Sequence, residues 1–191
     1  MSTQLDRLRA LTKNLKAKAE CEISGKSRLT KVITVASGKG GVGKTNFTLN
    51  FGLALAELGQ KVLILDADLG LANVDVILGI VPKYNLLHVI NDEKELSEIV
   101  IEGPKGIKII PGGSGIYELA DLKEWQLERF LIRLTTLEKE YDYLLIDTGA
   151  GISKNVLDFA LAADEIFIIT TPEPTSITDA YGLIKTLDKH K

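Results

Sequence analysis

The chain has 191 residues, 45% of them apolar and 26% charged, with a formal net charge of −3 and one cysteine. This length favours one domain with a core large enough to need no disulfide or metal staple, and the apolar content excludes global disorder. Cys21 alone forms no internal disulfide or thiolate cluster, no apolar run reaches the roughly 18 residues of a membrane span, and residues 1–20 hold no apolar signal core, so a reducing cytoplasm is expected.

Charge is unevenly placed. Residues 1–31 carry eight Lys and Arg against Asp6, Glu20 and Glu22, a local +5 that leaves −8 on the remainder. An acidic body argues against a broad grip on nucleic acid. In the basic arm Leu5, Leu8, Leu11 and Leu15 recur at steps of three or four, which predicts a short amphipathic helix over residues 1–20. Such an arm is a solvated or core-docked leader, or a helix for a partner or an anionic surface. Ser24-Gly25-Lys26-Ser27 breaks the pattern, and residues 21–30 read as a linker.

From Lys31 the pattern alternates. Val32–Ala36 predicts a strand, and a glycine-rich turn leads to a helix over Thr45–Leu58, stopped by Gly59. Val62–Leu65 predicts a second strand ending at Asp66. Leu86–Ile90 and Leu96–Val100 predict short helices, and Ile107–Ile110 a third strand. A long helix is expected over Asp121–Glu140, with a core-facing stripe of Leu122, Trp125, Phe130, Leu134 and Leu137, in which Trp125 is a packing residue or an exposed contact. Tyr143–Ile146 predicts a fourth strand ending at Asp147, Lys154–Ala162 a helix, Ile166–Ile169 a fifth strand, and a last helix starts near Thr178 and runs to Lys191. Strands apolar on both faces and separated by helices imply an α/β fold: a doubly wound, mainly parallel sheet with helices on both faces. Residues 31–191 form that domain. Ligands in such sheets bind beyond the carboxyl ends of the strands.

Gly38-Lys39-Gly40-Gly41-Val42-Gly43-Lys44-Thr45 matches G-x-x-x-x-G-K-[ST] between a strand and a helix, the context of a P-loop. Backbone N–H groups of Gly38 to Asn46 would curl around phosphate oxygens, with the positive end of the helix behind them. Lys44 would neutralise the β- and γ-phosphates, and Thr45 would place a hydroxyl on Mg²⁺. Asp66 and Asp68 follow the second strand, where a carboxylate can hold a magnesium water and another can orient an attacking one. Asp147 after four apolar residues is the Walker B arrangement, a metal-shell acid. His88 and His190 lack metal-ligand spacing. Glu128, Arg129 and Arg133 read as a solvated helix face.

Lys39 adds a second lysine, and Lys-Gly-Gly-Val-Gly-Lys-Thr is the deviant Walker A pattern. Here the sequence resembles the MinD/ParA group of P-loop ATPases. The resemblance implies ATP or ADP with Mg²⁺ as ligands and an ATP-dependent sandwich homodimer, in which Lys39 reaches the partner's nucleotide. It assigns Lys39, Lys44 and Asp68 to catalysis, with Asp68 as the switch I residue positioning the lytic water. It places Asp66 in the metal's outer shell and Asn73 near the γ-phosphate. Gly149 and Gly151 would give switch II its freedom.

Three stretches, Ser37–Asn46, Asp66–Asp75 and Asp147–Ser153, resemble the FlhG/FleN/YlxH flagellar-number regulators; Thr148-Gly149-Ala150-Gly151 discriminates most. Thr170–Tyr181 also looks like this branch. Members begin with a helix that stimulates the partner GTPase FlhF, and Gln4, Leu8 and Arg9 match it, although Thr3 stands where the family has Asp. The resemblance implies FlhF, flagellar C-ring switch proteins and a flagellar transcription regulator as partners, and no direct DNA binding. The family continues past the equivalent of Lys191 with strands that complete the adenine pocket and an amphipathic membrane-touching helix. The chain is therefore expected to be truncated or shortened, with reversible membrane contact only where that helix is present. The alternative is a cell-division or DNA-segregation positioning ATPase of the same fold. Iron–sulfur relatives need cysteines that this sequence lacks.

Overall fold

The computed structural model describes residues 30–68, 74–113, 124–137 and 140–190. The expected helix over residues 1–20, most of the linker and Asn73 lie outside them.

Among the described residues, six strands form one sheet in the order β3-β4-β2-β5-β1-β6. They are β1 (Lys31–Ser37), β2 (Val62–Ala67), β3 (Ile101–Glu102), β4 (Lys108–Ile110), β5 (Tyr143–Ala150) and β6 (Glu165–Ile168). All pairs are parallel except β3 with β4, a two-residue antiparallel edge too short to carry a sequence pattern. Among the described residues the α-helices are α1 (Lys44–Glu57), α2 (Val74–Leu78), α3 (Leu86–Ile90), α4 (Leu96–Ile99), α5 (Glu124–Leu134), α6 (Lys154–Ala162) and α7 (Pro174–Lys189).

Strand parity divides the core. Leu63 and Leu65 of β2 and Leu144 and Ile146 of β5 pack with α3, α4 and α5 on one face. Val62, Ile64 and Leu145 pack with Leu49 of α1 on the other. A third cluster joins Ala36 of β1 to Val156 and Ala160 of α6 and Leu183 and Leu187 of α7. Burial on both faces explains why these strands read as continuous apolar runs.

Several boundaries differ from expectation. β2 and β5 run past their terminal acids, so Asp66, Asp147, Thr148, Gly149 and Ala150 lie in strand rather than loop. Neighbouring strands pair their backbones there, and backbone pairing does not depend on apolar side chains. The long helix ends at Leu134, well before Glu140. Phe130, Leu134 and Leu137 are buried as expected, but Trp125 is 56% exposed. α7 begins at Pro174, four residues before Thr178, because proline's fixed φ suits the first helical position. It stops at Lys189. α2 carried no expectation; at five residues it is too short to show a period. His88 serves structure: its ring meets the Asn85 side chain at 3.0 Å within the capping box of α3. Arg129 and Arg133 are not merely solvated, since both pair with Asp92.

Candidate nucleotide site

Residues 38–43 link β1 to α1. Gly41 and Gly43 have φ of +76° and +88°, and a Cβ at either would meet nothing within 4 Å. Glycine is needed there for the left-handed backbone, not for space. Gly43 is also the N-cap of α1, and it offers no side-chain acceptor. The first turn of the helix holds no acidic residue either. The leading N–H groups of a 14-residue helix thus face the loop with no carboxylate to neutralise them, an arrangement suited to an anion.

Gly38 has a different role. A Cβ there would sit far inside contact distance of the Asp179 carbonyl and 2.7 Å from Ala180 N, both on α7. Its missing side chain lets α7 pack against the start of the loop.

The loop walls a cavity of about 300 Å³, lined by Ser37, Gly40 to Asn46, Asp68, Val76, Ile77 and Ala150. That volume is within the range of small-molecule clefts. Gly40, Gly41, Val42, Gly43, Lys44, Thr45, Asn46 and Asp68 were expected there; Ser37, Val76, Ile77 and Ala150 were not. Val76 and Ile77 come from α2, and only the folded chain brings that helix beside the loop. Gly38 and Lys39 fall outside the lining.

Behind the cavity lies a buried ion pair. Lys44 Nζ is 3.0 Å from Asp147 Oδ1, with side-chain exposures of 8% and 1%. Thr48 Oγ1 is 3.2 Å from the same oxygen. Asp147 Oδ2 is buried with no hydrogen-bond partner. Parity explains the meeting: Asp147 follows Leu145 on the face of β5 that packs on α1.

Asp66 is the register partner of Asp147 on β2, and it too is 1% exposed. Its Oδ1 accepts from Asp68 N at 3.2 Å and its Oδ2 from Val74 N at 3.0 Å. Asp66 therefore ties the end of β2 to the start of α2 and lies behind the lining rather than in it. Asp68 does line the cavity, beside the end of β5: a Cβ on Gly149 would lie 3.4 Å from Asp68 Oδ1. Lys39 turns away from the cavity. Its Nζ is 3.0 Å from Glu173 Oε2 and 3.3 Å from Thr175 Oγ1, where β6 leads into α7.

The donor set fits a magnesium nucleotide. Thr45 and Asp147 offer hard oxygens, and Asp147 Oδ2 is a buried acceptor with no hydrogen-bond donor. No group of three or more His, Cys, Asp or Glu side chains converges among the described residues. Mg²⁺ suits such a site, because it usually takes one or two protein oxygens with phosphates and waters completing its shell.

The sequence matches the profile described as AAA domain over residues 30–191. This chain belongs to the AAA domain family. Within it the resemblance to the FlhG/FleN/YlxH group holds. The chain is 46% identical over 165 residues to the antiactivator FleN of Pseudomonas aeruginosa, covering 86% of itself and 59% of that protein. It is 44% identical to the flagellum site-determining protein YlxH of Helicobacter pylori, covering 85% and 55% respectively. The fold is that of MinD. The septum site-determining protein MinD of Pyrococcus horikoshii OT3, solved as a complex with Mg-ADP, superposes with a TM-score of 0.74 at 31% identity over 84% of this chain and 66% of that one. The chain spans less than two-thirds of the length of these curated relatives.

Proposed function

We propose that the protein is an ATP-binding, slowly hydrolysing dimerisation switch that regulates flagellar number and placement. The observation carrying this reading is the glycine loop opening on Asp68, with the Lys44–Asp147 pair at its base. The similarity to FleN and YlxH supports the flagellar assignment.

Loop N–H groups and the α1 N-terminus bind the phosphates. Lys44 leaves Asp147 to balance their charge. Thr45 and Asp147 would hold Mg²⁺, and Asp66, which braces the neighbouring strand end, would belong to the metal's outer shell. The ion, when bound, supplies positive charge against the phosphate oxygens. Asp68 orients a water for attack on the terminal phosphoryl group. Lys39 exchanges Glu173 and Thr175 for a partner protomer's nucleotide, placing charge where the transition state needs it. Asn73 contributes near the γ-phosphate. The protein works in the cytoplasm, and any membrane contact is peripheral; no helix among the described residues is long and apolar enough to span a bilayer. Gln4, Leu8 and Arg9 carry the contacts that stimulate FlhF, and C-ring proteins and a flagellar transcription regulator read the dimer.

The deciding experiment is sizing by light scattering with ADP and with a slowly hydrolysed ATP analogue. Wild type should pair only with the analogue, Lys39→Ala should stay monomeric, and Asp68→Ala should pair with ATP itself. Pairing of Lys39→Ala as readily as wild type would refute the assigned role of Lys39. Turnover at typical enzyme rates, near about 10 s⁻¹, would refute the slow switch.

A further inference from the structure

Two groups from one helix hold Asp147 Oδ1: the Lys44 ammonium at 3.0 Å and the Thr48 hydroxyl at 3.2 Å. Thr48 lies one turn beyond Lys44, outside the phosphate-loop motif, and is fully buried. Its hydroxyl carries one proton and has two acceptors in reach, Asp147 Oδ1 and the Lys44 carbonyl at 3.0 Å. It can serve only one of them at a time.

We propose that Thr48 is a positioning residue that becomes the donor to Asp147 Oδ1 once Lys44 turns to phosphate, leaving Oδ2 available to the metal. This rests on the nucleotide-binding reading above. With Lys44 drawn away, the Thr48 hydroxyl is the donor that stays beside Oδ1. A carboxylate buried without donors is costly, and it turns toward whatever donor remains. The Lys44 carbonyl gives up the hydroxyl at little loss, because an α-helical carbonyl at this position accepts the N–H four residues on. Position 48 lies four residues after the motif lysine, so one helical turn places its hydroxyl beside the acid that the lysine holds.

The test is the gain in ADP affinity that Mg²⁺ confers, measured by isothermal titration calorimetry in EDTA and in magnesium buffer. Thr48→Val and Thr48→Ala remove the donor with different losses of volume, and Thr48→Ser keeps it. Both donor-free variants should lose about tenfold of the magnesium-dependent gain, the low end for removing a group that orients a metal ligand. Their affinity in EDTA should stay near wild type, and Thr48→Ser should keep the full gain. An unchanged gain in Thr48→Val and Thr48→Ala would overturn the proposal. So would an equal loss in EDTA and in magnesium, which marks a packing defect, or a serine variant that behaves like valine. A wild type that binds ADP with no help from Mg²⁺ would overturn the role of Thr48 and leave nucleotide binding standing. One that binds no ADP would overturn both.

Discussion

Lys39 and Glu173 stand 134 positions apart in sequence, and their side chains meet at 3.0 Å where the phosphate loop passes the start of α7. The side chains are 42% and 64% exposed, so solvent and salt screen the pair. The lysine is held without being locked. Glu173→Gln should therefore lower the unfolding free energy by less than about 1 kcal/mol, and less still in high salt. Urea titration at low and high ionic strength checks this; a loss several times larger would show that the contact braces α7.

The Lys44–Asp147 pair is the opposite case, since both members are buried. Lys44→Met and Asp147→Ala should each destabilise the nucleotide-free protein by about 3–5 kcal/mol, because each leaves a charge without its partner. The double variant leaves neither charge and should lose much less than the sum. A double-mutant cycle in urea measures the coupling, and simple additivity would contradict the pairing.

Gly38 and Gly40 belong to the same loop but should respond differently to alanine. At Gly38 the new methyl meets the backbone of Asp179 and Ala180, which cannot swing aside as a side chain can. At Gly40 the nearest atom is the Ala150 Cβ at 4.0 Å. Gly38→Ala should cost about 1–3 kcal/mol by displacing α7, and Gly40→Ala should leave the unfolding midpoint near wild type. Equal midpoints for the two variants would contradict the close packing of α7 on the loop.

Asp92 should titrate below the ordinary carboxylate value, because hydrogen bonds from Arg133 and then Arg129 favour its charged form. A carboxyl depressed in the folded state contributes stability that is present above its unfolded pKa and lost as pH falls through the folded one. NMR titration of the Asp92 carboxyl should show the low midpoint, and Arg133→Gln should raise it. An Asp92 midpoint unmoved by Arg133→Gln would rule out the guanidinium as its cause.

Legibility followed the range of the interactions. The phosphate loop was readable because its glycines, lysine and threonine act through local backbone geometry at fixed spacing. Lys154–Ala162 was readable to the residue, since one apolar face and its flanks specify it. Trp125 lies in the apolar stripe but is the exposed contact rather than the packing residue, because periodicity identifies a face but not whether a neighbour covers every position on it. Thr48 carried no local signal: a threonine inside a helix gains meaning only from the acid opposite. Glu173, Thr175, Val76 and Ile77 were missed for the same reason, being brought to the loop from distant elements. Only a demand that Asp147 have a donor from α1 would have pointed to Thr48.

By itself the amino-acid sequence determined the alternation of buried strands and helices, the anion-binding loop and the acids at the strand ends. Each depends on residues within a few positions of one another. Tertiary structure alone decided the state of two groups: Asp147 paired to Lys44 through one oxygen with the other free, and Lys39 turned to Glu173. Those outcomes depend on strand register and helix packing, which place groups a hundred residues apart within hydrogen-bonding distance.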